Sequence, residues 1–303
     1  MNLNINKIVG EFYTPSKQGD IALLIASYQP NEDASKLLRI AINSILKFKP
    51  DNADIWVVDV GSPNSSFKVL PNEYPSVNFI MTDYTPRSWG HNSYKRILLE
   101  KLLFRKPPRW GSYANAWTLE YAIKLFSDFH YNPKYFMTLQ MDILFTSKKL
   151  IPYMLSLFNE NTAAVGVLKQ KNISKTTDIL HSLGCMWKNE VFSSLKLSME
   201  PSWPKFDVGE FAIKKAVDNG YNIRSLECSY SDPNIIEFFP PIFKEMVDVD
   251  RSIDSMGNVV FMHLGRGIAK SDGSYDKKGK ITVTKWELWF NKFNKLKKKN
   301  KIN

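Results

Sequence analysis

Several apolar stretches of the chain end in polar side chains of the kinds that bind ligands. The first ends in Ser27 and is followed by Tyr28, the second carries Asp59 near its end, and another runs into Gln140-Met141-Asp142. An aspartate can accept hydrogen bonds from a bound molecule or hold a divalent cation, and a tyrosine offers an aromatic face for stacking. Each of these residues, taken alone, also suits a turn or a helix cap.

A second group of residues with chemical potential lies late in the sequence. His263 and Arg266 belong to the stretch FMHLGRG. An imidazole can bind a metal and a guanidinium can pair with a phosphate, although a histidine packed in a core is the plain alternative for His263. Asp207 and Glu210, in FDVGE, are close carboxylates that could remove a proton as a general base. The same two residues also fit a helix capping box, with Asp207 as the N-cap.

Elements that could bring these side chains together follow one another as strand, helix, strand. Residues 20–27 and 54–60 are near-continuous apolar runs, typical of strands that are covered on both faces. Between them, Asn31 or Asp33 can cap a helix whose apolar residues recur every three or four positions. This alternation predicts an α/β fold with a mostly parallel central sheet flanked by helices. Further helices are expected near 95–104, 111–129, 150–158 and 208–218, and further strands near 77–82, 135–140, 163–168, 222–226 and 259–262.

The expected sheet gives the polar strand ends a common location. In an open parallel sheet, ligands bind beyond the carboxyl ends of the strands. We find no internal repeat and no linker that would split the chain, so we expect one domain over residues 1–282. Its first half, about residues 20–150, carries the polar strand ends described above, and its second half is about residues 151–282. Residues 283–303 form a basic tail.

The charge of the chain argues against nucleic acid as a partner. The formal net charge is +11, and residues 277–303 contribute ten lysines and one glutamate, or 10 − 1 = +9, which leaves +2 for the remainder. A nucleic-acid-binding enzyme more often spreads its basic residues along a groove. The opening residues lack the apolar segment of a signal peptide, and the two cysteines form no metal-binding or disulfide pattern. A cytoplasmic protein is the expectation.

The tail has the pattern of an amphipathic helix. Its large apolar residues recur at three- and four-residue steps, with lysines off that stripe; they are Trp286, Trp289, Phe290, Phe293 and Leu296. A basic helix of this kind can lie in the headgroup region of an anionic membrane, and we expect it to dock the protein on the inner face of the membrane. The alternative is that the stripe packs on the catalytic body.

Four segments in order resemble the family 2 glycosyltransferases of the GT-A fold. The segments are IALLIASYQP, WVVDVGSPNSS, GSYANAW and YFMTLQMD, and the match covers about residues 20–150. The resemblance implies a GT-A, Rossmann-like α/β fold. It makes residues 1–282 a single catalytic domain, in which about 20–150 bind the nucleotide sugar and about 151–282 the acceptor. It also implies transfer of a sugar from a nucleotide-sugar donor, with UDP-type donors favoured, to a hydroxyl of a glycan, a lipid-linked sugar or a protein.

The resemblance assigns roles to matching positions. Ser27, Tyr28 and Asp59 fall where the family holds the nucleobase and ribose, and Asn115 matches the asparagine at a helix start. Ala114 stands where the family often has an arginine.

The family's Asp-x-Asp motif is matched in part. Asp142 is its second aspartate and Gln140 replaces the first, which implies a Mn²⁺ or Mg²⁺ site with fewer carboxylates than usual. His263 is then a candidate second ligand, and Arg266 a candidate contact to the diphosphate. An inverting single displacement needs a base, for which Asp207 and Glu210 are the candidates.

Two other functions remain open from the sequence. A sugar nucleotidyltransferase would share an α/β core, but residues 25–31 lack the glycine-rich loop that such enzymes place after the first strand. A non-catalytic protein that binds nucleotides or glycans is favoured by Gln140 in the motif. The acceptor would be selected by residues 83–108 and 173–204.

Overall fold

The computed structural model describes residues 10–13, 18–62, 68–82, 102, 110–168, 180–182, 184–202, 205–245, 249–265 and 283–298. The strands are β1 Gly10–Tyr13, β2 Ile21–Ser27, β3 Ala53–Val60, β4 Asn78–Thr82, β5 Tyr135–Gln140, β6 Ile143–Phe145, β7 Thr162–Val167, β8 Cys185–Lys188, β9 Asn222–Cys228, β10 Asp250–Ile253 and β11 Val259–His263. The helices are α1 Glu32–Phe48, α2 Leu70–Glu73, α3 Trp110–Asp128, α4 Leu150–Ser156, α5 Asn189–Ser194, α6 Glu210–Asp218, α7 Pro241–Lys244 and α8 Val283–Lys298, with a 3₁₀ helix at Pro233–Phe238.

The described strands form one sheet with the order β1-β4-β3-β2-β5-β8-β7-β9-β10-β11-β6. The four central strands β4, β3, β2 and β5 are mutually parallel. Following the pairings outward, β7, β9 and β11 run in the same direction as these four, while β1, β6, β8 and β10 run against them. The predicted α/β class, with a mostly parallel sheet flanked by helices, is confirmed.

The chain changes direction across the sheet beside β2. From β2 it moves through α1 to β3 and then to β4 on one side, and it later returns through α3 to β5 on the other side. The strand order therefore reverses between β2 and β5. A crevice opens outside the carboxyl ends of two strands at such a reversal.

Alternate residues of the central strands pack against opposite helical layers. Ile21, Leu23 and Ile25 belong to the core cluster that contains α1, whereas Ala22 and Leu24 belong to the cluster that contains α3. Burial on both faces explains why β2 reads as a continuous apolar run. Asn31 is the N-cap of α1, since its side chain accepts a hydrogen bond from the Ala34 N–H at 2.8 Å.

Helix α8 packs on the body of the protein. Trp286, Trp289, Phe290 and Phe293 are buried in the same core cluster as α1. The Trp289 indole N–H donates to the Ile242 carbonyl at 2.9 Å. The prediction that this apolar stripe enters a membrane is therefore corrected, because the core already covers it. In the part of the chain that is described, no helix combines the length and apolar character needed to cross a bilayer.

Several elements had not been predicted, and one expected element cannot be compared. The short strands β1, β6 and β10 and the helix α5 lack a periodic apolar pattern long enough to identify them. The helix expected near 95–104 lies outside the described residues, apart from the single position 102.

Cys185 and Cys228 are both buried, and neither forms a disulfide.

Candidate functional site

The polar residues singled out from the sequence lie toward one edge of the sheet. Ser27, Asp59 and Gln140 are at or next to the carboxyl ends of β2, β3 and β5. His263 ends β11, which runs in the same direction. Since α3 and α6 lead back to the starts of β5 and β9, their first turns also lie toward this edge.

Asp59 is the centre of a buried hydrogen-bond network. Its carboxylate accepts from the Ser62 backbone N–H at 2.7 Å, the Ser62 hydroxyl at 2.5 Å, the Ser27 hydroxyl at 3.2 Å and the Gln29 side-chain N–H at 3.5 Å. The Ser62 hydroxyl also accepts from the Gln29 backbone N–H at 2.7 Å. The network joins the ends of β2 and β3 and fixes the turn that begins at Gly61, whose φ is 64°.

Burial dominates the titration of Asp59. Only 3% of the residue is exposed. Removal from water raises the pKa of its carboxyl to about 6, and the donors on Ser62, Gln29 and Ser27 limit the rise because they stabilise the charged form. Asp59 is therefore an ionised carboxylate at neutral pH whose charge is held by internal donors.

A second cluster, Asp142–His263–Asp250, is assembled by the antiparallel strands β6, β11 and β10. Ile143 is paired with His263, and the Leu264 N–H donates to the Asp142 carbonyl at 2.9 Å. On the other side of β11, Asp250 is the direct partner of His263. Strand pairing thus brings Asp142 beside Asp250 and His263, which are more than a hundred residues later in the sequence.

The His263 imidazole lies between the two carboxylates. Its Nε2 is 3.5 Å from Asp142 Oδ1, and its Nδ1 is 3.4 Å from Asp250 Oδ2. Burial by itself lowers the pKa of His263, but Asp142 and Asp250 outweigh it and raise the pKa to about 10. The side chain of Asp142 is 4% exposed and that of Asp250 is 33% exposed, so Asp250 is on the solvent side of the cluster.

A small pocket that is open to solvent adjoins His263 and Asp250. Its other polar walls include His181, Tyr230 and Ser252, and Phe261 contributes an apolar wall. The His181 ring contacts Tyr230 edge to face with a centroid distance of 5.7 Å, and it is 6.1 Å from the His263 ring. The pocket therefore combines hydrogen-bonding groups with aromatic faces.

Asp207 lies in the turn before α6, and Glu210 is the first residue of that helix. The Glu210 carboxylate accepts from the Asp207 N–H at 2.8 Å, and Asp207 Oδ1 accepts from the Val208 N–H at 2.8 Å. The N-cap of α6 is Gly209, with φ 71°, so the suggestion that Asp207 is the N-cap is corrected. Burial, and after it the charges of several carboxylates, Asp207 and Glu210 among them, raise the pKa of Tyr230. Asp207 and Glu210 are thus among the charges that act on Tyr230.

Three further residues were predicted to contact the nucleotide sugar, and the structure describes two of them. Tyr28 is half-buried directly after β2. Asn115 is in the second turn of α3, and its Oδ1 is buried and has no hydrogen-bond partner among the described residues. Arg266 lies outside the described residues.

The residues at the cluster fit part of a divalent-cation site. Two ligand atoms bound at about 2.1 Å to one ion are about 3.0–3.5 Å apart. The 3.5 Å between Asp142 Oδ1 and His263 Nε2 agrees with that separation. Within the described ranges, no group of three or more His, Cys, Asp or Glu side chains could enclose an ion. The protein would thus supply two ligands, and phosphate oxygens and water the others.

Sequence reasoning missed three residues of the site. His181, Tyr230 and Asp250 are isolated in the sequence and belong to no motif. Only Asp250 carried a possible signal, as an acid that opens a short strand before the hairpin leading to His263. Their proximity depends on the pairing of β9, β10 and β11.

No protein-family model matches the chain. No curated protein matches its sequence.

Several solved structures are similar to this chain, at low sequence identity and with TM-scores below 0.5. A mannosyltransferase from Pyrobaculum calidifontis, in complex with GDP-Man and Mn²⁺, is 15% identical, with 72% of this chain and 57% of that one covered and a TM-score of 0.45. TarS from S. aureus, in complex with UDP-GlcNAc, is 10% identical, with 68% and 56% covered and a TM-score of 0.43. Glucosyl-3-phosphoglycerate synthase from Mycobacterium tuberculosis, in complex with Mn²⁺, UDP and glucosyl-3-phosphoglycerate, is 13% identical, with 68% and 69% covered and a TM-score of 0.42.

This chain spans a little over half of the length of the first two of these proteins. All three similarities are at 10–15% sequence identity.

Proposed function

We propose that the protein is a glycosyltransferase that passes a sugar from a nucleotide-sugar donor to an acceptor hydroxyl. The observation that carries this proposal is the common sheet edge of the Asp59 network and the Asp142–His263–Asp250 cluster, on either side of the strand reversal between β2 and β5. Since strands are about 4.8 Å apart, the ends of β3 and β5 are separated by about 10 Å. A nucleotide can span that gap with its base at one end and its diphosphate at the other.

The nucleoside end would be formed by Tyr28 and the Asp59 network. Tyr28 is half-buried and can stack on a base. The carboxylate of Asp59 holds the ends of β2 and β3 at a fixed separation, and it can also accept from an imide N–H, which favours a UDP-type donor. Asn115, with a buried Oδ1 that has no hydrogen-bond partner among the described residues, could meet a donor group on the bound nucleotide.

The diphosphate end would be formed by Asp142 and His263. A divalent cation, Mn²⁺ or Mg²⁺, bound there would neutralise charge that develops on the nucleoside-diphosphate leaving group. Asp142 is 4% exposed, so its charge acts where water screens it weakly. Arg266, three residues after His263, is proposed as a further phosphate contact.

The acceptor would approach from the pocket beside Asp250 and Tyr230. An inverting displacement needs a base that takes the proton of the acceptor hydroxyl. We assign this role to Asp207 in preference to Glu210. The Glu210 residue is 5% exposed and its carboxylate accepts the Asp207 N–H, whereas Asp207 is half-buried and more accessible.

A screen of nucleotide sugars by thermal shift, with and without Mn²⁺, tests the proposal. A ligand that binds only the native state stabilises it by mass action, by about 2.7 kcal/mol at a hundred times its dissociation constant. We expect a nucleoside-diphosphate sugar to raise the melting temperature, and more so with Mn²⁺. The same donor should be hydrolysed or transferred by the wild type but not by Asp142→Asn.

Three outcomes would contradict parts of this proposal. Stabilisation by no nucleotide sugar would remove the glycosyltransferase function. Binding without any turnover would favour a non-catalytic binding protein. Full activity in excess EDTA would remove the cation and leave Asp142 to contact the sugar.

A further inference from the structure

We propose that Asp250 is a positioning residue, which holds the His263 imidazole so that Nε2 is presented to a cation on Asp142. This inference rests on the cation site of the proposed function. It concerns a residue that belongs to no motif in the sequence and that is set in place by strand pairing.

The two carboxylates are on opposite sides of the imidazole. Asp142 Oδ1 is 3.5 Å from Nε2, and Asp250 Oδ2 is 3.4 Å from Nδ1. The two ring nitrogens point away from each other, so an ion that is bound to Nε2 and Asp142 is out of reach of Asp250. This agrees with the absence of a converging group of three ligands among the described residues. Asp250 therefore acts on the ring rather than on the ion.

The orientation of an imidazole decides whether it can bind a metal. A neutral histidine has one N–H and one lone pair, and a ligating nitrogen must carry the lone pair. A carboxylate that accepts the N–H of the other nitrogen fixes both the tautomer and the angle of the ring. The Nε2 proton leaves to solvent when a cation binds. With Asp250 as the acceptor for the Nδ1–H that stays on the ring, the lone pair then lies on Nε2, on the side of Asp142.

The backbone around Asp250 is held firmly enough for this task. Asp250 and His263 are direct partners of the β10–β11 ladder, so their side chains project on the same face. Val249 and Arg251 on either side of Asp250 are buried. The Arg251 guanidinium donates to the Phe243 and Val249 carbonyls, and its backbone N–H donates to the Ser229 hydroxyl at 2.9 Å.

The test is the Mn²⁺ affinity of the full chain, measured by calorimetry with and without UDP. Removing such a carboxylate partner typically weakens metal binding 10- to 100-fold, and we expect that loss for Asp250→Ala. Asp250→Asn keeps an oxygen that can accept the Nδ1–H but loses the charge. Its Mn²⁺ affinity should therefore lie between those of the wild type and Asp250→Ala. The melting temperature in EDTA should change little, because Asp250 is on the solvent side of the cluster.

Asp254→Asn is the matched control. Asp254 is a buried carboxylate at the far end of the same hairpin, where it accepts from Met256 and Asn258. Its loss should lower the melting temperature and leave the Mn²⁺ affinity unchanged. Pulsed electron paramagnetic resonance supplies a second readout: the nitrogen modulation of bound Mn²⁺ should be strong in the wild type, weak in Asp250→Ala and absent in His263→Ala.

The proposal is overturned if Asp250→Ala binds Mn²⁺ as the wild type does, or if Asp254→Asn loses as much affinity as Asp250→Ala. It is also overturned if the wild type binds no Mn²⁺ with or without UDP. Sugar transfer is measured separately. The expected Mn²⁺ pattern in a protein that transfers no sugar would sustain the role of Asp250 and refute the glycosyltransferase proposal.

Discussion

At the scale of single residues, Asp59 shows how one buried carboxylate can organise a site. Four donor groups on Ser27, Gln29 and Ser62 surround it. Its first contribution is therefore structural, since it ties together the ends of two parallel strands. A nucleotide would meet an arrangement that is already ordered, which lowers the entropy lost on binding.

Asp59 also makes the stability of the protein depend on pH in a defined direction. Its pKa is about 6 in the folded protein against an ordinary value of 3.8, so the folded state binds more protons between these values. The free energy of unfolding should then fall as the pH rises from about 4 to about 6, by on the order of 3 kcal/mol from this group, and level off above. Urea unfolding of wild type and Asp59→Asn at several pH values isolates the effect. Curves that stay parallel across this window would contradict it.

Substitutions of Asp207 and Glu210 should have different effects on turnover and stability. If Asp207 is the base, Asp207→Asn should lower turnover by about 10²–10⁴-fold under saturating substrates. Glu210→Gln keeps an oxygen that can accept the Asp207 N–H, so it should lower the free energy of unfolding by about 1 kcal/mol with little change in turnover. For both variants, turnover is measured by product assays and the free energy of unfolding by urea unfolding. Normal turnover of both variants would place the base elsewhere.

At the scale of elements, helix α8 completes the core on one face of the sheet. Phe293 is fully buried, with ring centroids 5.7 Å from Phe243 and 6.4 Å from Phe48. Trp289 stacks on Phe293 at 5.2 Å. The helix thus bridges α1 and α7, and its outer face carries the exposed Lys285, Lys292 and Lys295.

The two faces of α8 should respond differently to truncation. Phe293→Ala creates a cavity and should lower the free energy of unfolding by about 3–5 kcal/mol. Leu288 is 63% exposed on the same helix. Leu288→Ala should change the free energy of unfolding by no more than about 0.5 kcal/mol. Denaturant unfolding of both variants makes the comparison. Equal, small effects would mean that the helix is detached in solution, and the membrane-docking hypothesis for the apolar stripe would regain support.

At the scale of the whole molecule, the candidate site and the basic C-terminal residues 277–303 belong to different parts of the fold. The sheet edge at β2, β3, β5 and β11 carries the candidate site, and α8 packs on the face that is covered by α1. The excess charge of +9 belongs to residues 277–303, of which the structure describes 283–298. Attraction to an anionic membrane surface remains a prediction that these lysines alone would have to support.

The sequence by itself was sufficient for the elements whose residues are constrained locally. Strand β5 was predicted with its observed bounds, and β2, β3 and α3 to within one residue at each end. Burial on both faces forces continuous apolar runs in the central strands, and this signal does not depend on which strand is the neighbour. For the same reason Ser27, Asp59 and Asp142 could be expected at one edge.

Only the tertiary structure decided what depends on distant partners. Asp250 meets His263 through an antiparallel register that nothing in the short segment DRSI specifies. The stripe of Trp286, Trp289 and Phe293 has the same spacing whether it faces lipid or a protein core, and the surface that covers it comes from α1 and α7. Periodicity identifies the apolar face of a helix, but the partner of that face is a property of the folded chain.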